Sequence, residues 1–278
     1  MKYEKIHLKK HFPFLGENGC DPTLETFLPY NMTEMNRQDA KRPCILVCPG
    51  GGYGFCSQRE AEPIALQFLP QGYNAFIITY SCAPNTFPTQ LREVAAAMEL
   101  IYANADEWNC DTDRIAIIGF SAGGHLAAHY STAFDCPQVR EVFPNSHPVN
   151  ASILCYPVIT ADEAHAHLGS FHNLLGKKEL SDEDVAGFSC ERLVSDKTPP
   201  AFLWHTAEDN CVPVANSLMY AAALSSRSIP FELHIYPFGA HGLATADSET
   251  NGELPPRIAR DHQWIPSALS WLGLTFGK

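Results

Sequence analysis

Residues 115–125 read Ile-Ala-Ile-Ile-Gly-Phe-Ser-Ala-Gly-Gly-His. The apolar start is typical of a buried strand, and Ala122–Tyr130 has a helical pattern. Glycines two positions either side of Ser121 permit a sharp turn between them, because a side chain there would collide with neighbouring backbone. The stretch predicts that Ser121 projects above a sheet, beside helix N–H groups that can stabilise an oxyanion. The alternative is a turn that needs glycine only for packing.

Outward from this stretch, short apolar runs alternate with helical patterns. Strands that alternate with helices pair in parallel through right-handed crossovers. The sequence therefore predicts an α/β fold with a doubly wound, mostly parallel sheet and helices on both faces. The expected strands are Cys44–Cys48, Ala75–Tyr80, Ile115–Phe120, Ile153–Tyr156, Ala201–His205 and Phe231–Tyr236.

Apolar residues spaced by three and four positions predict helices over Leu91–Tyr102, Pro213–Leu224 and Trp264–Leu272. Another helix is expected after Ser57, because Ser57 and Glu60 have the spacing of a capping box.

Residues 1–278 are expected to form a single domain, since no internal repeat or linker-like run interrupts them. Residues 1–40 can supply an antiparallel lead-in to the sheet. Residues 160–200 are polar and form a longer connection between two strands than is usual, which makes them a candidate lid or cap insertion.

The charge composition limits the classes of molecule that the chain can bind. The chain has 31 acidic and 19 basic residues and a formal net charge of -12, so its surface repels nucleic acid and anionic membranes. No run approaches the roughly 18 apolar residues of a membrane span, and charged residues interrupt the first ten positions. We therefore expect a cytoplasmic protein whose ten cysteines are free thiols.

A serine hydroxyl needs a base to accept its proton, and histidine suits neutral pH. Of the twelve histidines, His241 lies in a glycine-flanked loop after the last predicted strand, where an imidazole can reach over the sheet edge. His125 and His129 lie on the helix after Ser121, where packing or surface positions are expected. His241 alone combines a loop with the right place in the chain order.

The base needs a carboxylate to orient it. Asp209 is central in the loop after the strand Ala201–His205, and the order Ser121, Asp209, His241 is that of one hydrolase architecture. Glu208 is the main rival. The alternative for either residue is an acid at the start of the following helix.

A second glycine-rich stretch, Pro49-Gly-Gly-Gly-Tyr53, follows the strand Cys44–Cys48. The N–H groups of Gly51 or Gly52, with that of Ala122, are candidates for an oxyanion hole. A phosphate cradle is the alternative, but no G-x-G-x-x-G and no Lys-Ser or Lys-Thr accompanies these glycines. Tyr53 and Phe55 are candidate substrate contacts or, equally, core residues.

Metal sites are weakly signalled. Cys44 and Cys48 belong to an apolar strand, and no C-x-x-C pair is present around them. The histidine cluster at 165–172 lies on a polar stretch where solvated side chains are the commoner explanation. No metal site is expected.

The stretches 48–53, 119–125, 204–209 and 234–242 together resemble the α/β-hydrolase superfamily, in its acetyl esterase and acetylxylan esterase-like branch. The resemblance implies a metal-free serine esterase, without a cofactor, that acts on small acyl esters, often acetyl groups of plant polysaccharide fragments. Pro49 occupies the position of a loop histidine in the related hormone-sensitive-lipase pattern, which weakens assignment to lipases. A general carboxylesterase, a small peptidase of the same fold and a non-catalytic binding protein are the alternatives.

Overall fold

The computed structural model describes residues 1–15 and 17–277. Within them one sheet has eight strands, in the spatial order β1-β2-β4-β3-β5-β6-β7-β8. The strands are β1 Lys2–His7, β2 Thr23–Leu28, β3 Arg42–Cys48, β4 Asn74–Thr79, β5 Cys110–Phe120, β6 Ala151–Cys155, β7 Ala201–Thr206 and β8 Phe231–Tyr236.

The six strands from β4 to β8 across the sheet are parallel, whereas β1 and β2 run antiparallel at one edge. The predicted fold and the antiparallel lead-in from residues 1–40 are therefore confirmed. Each predicted strand begins within two residues of the first residue of an observed strand, except the third. The observed strand β5 begins five residues before the predicted one, at Cys110.

The helices lie between the strands and after the last of them. They are α1 Leu8–His11, α2 Glu62–Phe68, α3 Thr89–Ala103, α4 Ala122–Ala133, α5 Pro137–Arg140, α6 Leu168–Leu175, α7 Asp182–Phe188, α8 Cys190–Leu193, α9 Ala215–Ser226, α10 Ser248–Asn251, α11 Pro256–Ala259 and α12 Trp264–Thr275. Short 3-10 turns cover Glu17–Gly19, Thr33–Met35, Gln58–Glu60, Leu69–Gln71 and Arg260–Gln263. No helix among the described residues has the length and apolar character needed to cross a membrane.

The sheet has a hydrophobic core on each face. Alternate side chains of β3 point to opposite faces, because side chains alternate along a strand. Leu46 packs in the core that contains residues of α3, α4 and α9, and Val47 packs in the core that contains residues of α2 and α12. Both faces are thereby covered, as a parallel sheet requires.

The predicted capping box at Ser57 and Glu60 is wrong. Ser57 precedes a 3-10 turn and makes no side-chain cap, and α2 begins only at Glu62. Glu60 is 3% exposed and its carboxylate faces the protein interior. Its carboxylate instead accepts hydrogen bonds from the Gly50 N–H and the Tyr156 hydroxyl.

Residues 160–200 contain α6, α7 and α8. Phe171 of α6 packs edge-on against His125 of α4, with ring centroids 5.1 Å apart, and the Cys190 thiol points at the His125 carbonyl. The segment therefore has its own buried contacts with the helix that follows Ser121. Its role as a lid stays a prediction.

Candidate active site

The carboxyl ends of the parallel strands meet at one edge of the sheet. Cys48 of β3 pairs with Gly119 of β5, and Phe120 pairs with Cys155 of β6. The loops that follow these strands therefore converge, as ligand-binding loops do in open α/β sheets.

Ser121 lies at the sharp turn between β5 and α4. Its φ is 53° and its ψ is -119°, a conformation that costs a non-glycine residue on the order of 1–3 kcal/mol. A side chain on Gly123 would come within 2.2 Å of the Cys48 carbonyl oxygen, so this position requires glycine. The Ser121 N–H donates to the Cys155 carbonyl and its own carbonyl accepts from Val158, which fixes the turn against β6.

His241 lies in the loop after β8 and reaches Ser121. The distance from His241 Nε2 to Ser121 Oγ is 2.8 Å, and that from His241 Nδ1 to Asp209 Oδ2 is 2.7 Å. The imidazole also packs edge-on against the ring of Tyr156, with centroids 5.1 Å apart. The structure thus brings together the serine, the histidine and the aspartate that the sequence singled out.

Asp209 is buried, and several hydrogen-bond donors surround its carboxylate. Burial alone would raise its pKa, but donors from His205 and His241 outweigh that effect and hold the pKa well below its ordinary value. The N–H groups of Cys211 and Val212 each donate to Oδ1 at 2.9 Å. Asp209 is therefore held as a carboxylate, the form that can orient an imidazole.

The rival acid Glu208 lies elsewhere. It is exposed, and its carboxylate accepts a hydrogen bond from the N–H of Gly239 at 3.2 Å. Its neighbour Asp209 is the acid in contact with His241.

His205, at the end of β7, is a site residue that sequence analysis missed. Its Nε2 lies 3.2 Å from Asp209 Oδ2 and 3.0 Å from the Val212 carbonyl oxygen. Both neighbours are acceptors, so this nitrogen carries the hydrogen, and Nδ1 accepts from Ser217 Oγ at 2.8 Å. His205 therefore supplies Asp209 with a second imidazole donor, which only the folded neighbours reveal.

Two carbonyl groups of the glycine-rich loop accept hydrogen bonds that hold the loop in place. The carbonyl of Gly51 accepts from Gly54 at 2.9 Å, and that of Gly52 accepts from Asn173 Nδ2 at 2.8 Å. Among the hydrogen bonds of the described residues, the N–H groups of Gly51, Gly52 and Tyr53 have no partner. Their role in holding an oxyanion stays a prediction.

Asn173 and His167 connect the 160–200 segment to this loop. A Cβ on Gly52 would lie 3.9 Å from both the His167 ring and Ser170 Oγ. Burial and the neighbouring His241 lower the pKa of His167, which keeps this half-buried ring neutral at pH 7. Polar side chains thus border the glycine loop on the side of α6.

The two aromatic residues predicted as candidate substrate contacts differ in burial. Tyr53 is 1% exposed, and its hydroxyl donates to Nδ1 of the buried His125 at 2.8 Å, so its ring belongs to the core and offers no face to a substrate. Burial lowers the pKa of His125 to about 4, which keeps that imidazole a neutral acceptor. Phe55 is 63% exposed, and its substrate role stays a prediction.

The BD-FAE family model matches residues 31–224, a range that includes Ser121 and Asp209 and ends before His241. The chain belongs to the BD-FAE family. Its fold is that of the α/β-hydrolases, as the resemblance implied.

Curated relatives extend the BD-FAE assignment. The chain is 37% identical over 231 residues to endo-1,4-beta-xylanase B of Butyrivibrio fibrisolvens, a match that covers 80% of this chain and 36% of the relative. It is 35% identical over 203 residues to an acetylxylan esterase of Xylanibacter ruminicola, with 72% and 40% covered. The BD-FAE chain thus spans about two fifths of the length of these relatives.

Solved structures match over nearly their full length. An acetyl ester-xyloside bifunctional hydrolase from Caldicellulosiruptor lactoaceticus superposes with a TM-score of 0.83 at 35% identity, with 99% of this chain and 96% of that chain covered. A carboxylesterase from Lactobacillus plantarum gives 0.82 at 26% identity, with 98% and 97% covered. The BD-FAE chain is therefore similar over nearly its whole length to these two ester hydrolases.

Proposed function

We propose that this BD-FAE chain is a serine carboxylic-ester hydrolase in which Ser121, His241 and Asp209 form the catalytic triad. The observation that carries the proposal is the continuous contact from Ser121 Oγ through His241 to Asp209, at 2.8 and 2.7 Å. A hydroxyl, an imidazole and a carboxylate in this order are the parts of an acyl-transfer site. The names of the similar proteins support the same reaction class.

In the first step Ser121 Oγ attacks the ester carbonyl while His241 Nε2 takes its proton. The oxyanion accepts hydrogen bonds from the N–H of Ala122 and from Gly51 or Gly52. His241 then protonates the leaving alcohol, and an acyl group remains on Ser121. Water, deprotonated by the same histidine, cleaves this acyl-enzyme and releases the acid. The chemistry needs neither a metal nor an organic cofactor.

The proposed substrate is a short acyl ester, with acetyl favoured, carried by a carbohydrate such as a xylo-oligosaccharide. Two similar proteins carry acetylxylan or acetyl ester-xyloside in their names, which supports this class. His167 beside the glycine loop supplies a polar border suited to a hydroxylated alcohol, and Phe55 supplies an exposed ring. The polar border is less suited to a long aliphatic chain.

Fluorophosphonate labelling tests the triad. Wild type is expected to be labelled and Ser121→Ala is not, with a loss of roughly 10³ to 10⁶ in kcat, because the variant removes the nucleophile. Ser225→Ala, an exposed serine of α9, is the matched control and should behave as wild type. Absence of labelling in wild type would favour a non-catalytic binding protein.

An ester panel tests the substrate. Acetyl, butyryl, octanoyl and feruloyl esters should be compared with acetylated xylo-oligosaccharides, and activity is expected to fall sharply beyond butyryl. A buried methylene contributes only about 0.8 kcal/mol, so steric exclusion must produce the fall. Faster octanoyl than acetyl turnover, with no acetate released from the oligosaccharides, would replace this proposal with a general carboxylesterase.

A further inference from the structure

Glu60 is a buried carboxylate that the proposed mechanism does not use. It is 3% exposed, and within the described part of the chain no ion pair includes it. Its Oε2 accepts the Gly50 N–H at 2.9 Å, and its Oε1 accepts the Tyr156 hydroxyl at 2.7 Å. A buried carboxylate is costly unless donors satisfy it, so these two contacts account for its position.

The first contact fixes the start of the glycine loop. Glu60 holds the N–H of Gly50, and the Ser57 N–H donates to the Gly50 carbonyl at 2.9 Å. Both sides of this residue are therefore engaged directly before Gly51 and Gly52, whose N–H groups have no partner among the described residues. The close approach of Glu60 requires glycine at this position, since a Cβ on Gly50 would come within 2.6 Å of Glu60 Oε2.

The second contact leads to the loop that carries His241. The Tyr156 oxygen accepts the Ala244 N–H at 2.9 Å, and the Tyr156 ring packs against the imidazole of His241. Burial and the nearby Glu60 raise the pKa of Tyr156 well above its ordinary value, so its hydroxyl stays protonated and donates. The backbone of Tyr156 has a φ of 36°, a strained conformation that its packing maintains.

We propose that Glu60 is a positioning residue that, through Gly50 and Tyr156, holds the glycine loop and the His241 loop in fixed relation around Ser121. The inference rests on the proposed function, because it assigns the glycine loop to the oxyanion. Glu60 touches no reacting atom, so it acts only through the groups it orients. Its contribution belongs to the transition state, in which the oxyanion forms.

The geometry requires two acceptor oxygens on one side chain. Glutamine has the same shape but offers one acceptor oxygen and one NH₂ donor. In Glu60→Gln only one of the two donors, the Gly50 N–H or the Tyr156 hydroxyl, finds its acceptor. The substitution therefore leaves either the Gly50 N–H or the hydroxyl hydrogen of Tyr156 without its acceptor, and so weakens the connection between the loops without opening a cavity.

The test compares Glu60→Gln and Tyr156→Phe with wild type, and Glu62→Gln, two residues away and exposed, is the matched control. Competent sites are counted by fluorophosphonate reaction carried to completion, and kcat is expressed per counted site. Glu60→Gln is expected to lower kcat about 10²-fold, the effect of losing one oxyanion donor, with KM within about threefold. Tyr156→Phe, which keeps the ring packed on His241, is expected to lower kcat about tenfold.

A second readout separates positioning from general damage. A trifluoromethyl ketone forms a tetrahedral oxyanion on the serine, so its inhibition constant should rise in parallel with the loss of kcat. A purely structural role would instead lower the number of competent sites and leave kcat per site unchanged, which would overturn the inference. So would wild-type kcat in both variants. Failure of wild type itself to react with fluorophosphonate or to hydrolyse any ester would overturn the proposed function instead.

Discussion

Two buried aspartates lie against the loop that carries His241, and they differ in the donors around them. Asp209 is surrounded by two imidazoles and two backbone N–H groups. Asp261 is fully buried, and neither of its oxygens accepts a hydrogen bond from the described residues, although a Cβ on Gly239 would be 3.5 Å from one of them. Burial is common to both, so donors decide their behaviour.

The pKa of each carboxyl reflects this difference. Donors hold the pKa of Asp209 low, whereas burial raises that of Asp261 to about 6. A lowered pKa stabilises the fold above the unfolded value near 4, and this contribution is lost as pH falls below it. A raised pKa works in reverse, since the fold loses stability as pH rises from about 4 to about 6. The Asp209 carboxylate is thus suited to orient a base, whereas the Asp261 carboxylate destabilises the fold at neutral pH.

The largest expected effect comes from neutralising Asp209. Asp209→Asn should lower kcat about 10⁴-fold, because an amide cannot stabilise the imidazolium and favours the wrong tautomer of His241. Steady-state kinetics on an acetyl ester measure the loss. Glu208→Gln, its exposed neighbour, is the control and should remain near wild type. The reverse ranking would transfer the role to Glu208.

A smaller effect is expected from removing one donor. His205→Phe takes the Nε2 hydrogen away from Asp209 and should lower kcat about 10- to 100-fold, since a hydrogen bond to a charged group contributes roughly 1.5–3 kcal/mol. His205→Gln, which places an amide donor near the same position, should recover most of that loss. If the two variants have equal kcat, the imidazole of His205 does not act on Asp209.

The smallest effect on activity, and a gain in stability, is expected at Asp261. Asp261→Asn should raise the free energy of unfolding at pH 8 by up to about 3 kcal/mol, the equivalent of a two-unit pKa shift, and by little at pH 4. Urea unfolding at the two pH values measures the difference, with the exposed Asp39→Asn as control. A gain that is equal at both pH values would contradict the assigned pKa.

Local sequence patterns predict much of the fold and of the candidate site. The strands, the turn at Ser121 and the loops of Asp209 and His241 were predictable, because each depends on neighbours within a few residues. Their spatial convergence also followed, since parallel strands bring their carboxyl ends to one edge. The sequence alone left the choice between Asp209 and Glu208 open, because both lie in the same loop.

Residues whose partners depend on how the chain folds back in space were missed. Glu60 resembled a capping residue, yet its donors are Gly50 and the remote Tyr156. His205 resembled the end of an apolar strand, and its contact with Asp209 depends on how the following loop turns back. Tyr53 suited a sugar-binding surface as well as a core until burial decided its place. Composition and residue spacing do not predict such packing.

The hydrogen bond from Asn173 to the Gly52 carbonyl has a consequence for protein engineering. Asn173 lies in a segment inserted between two strands, the natural place to exchange sequence when a different substrate range is wanted. Such an exchange also removes a tether of the glycine loop, so it alters turnover together with selectivity. A chimaera that keeps an amide donor at position 173 separates the two properties, whereas one that loses it confounds them.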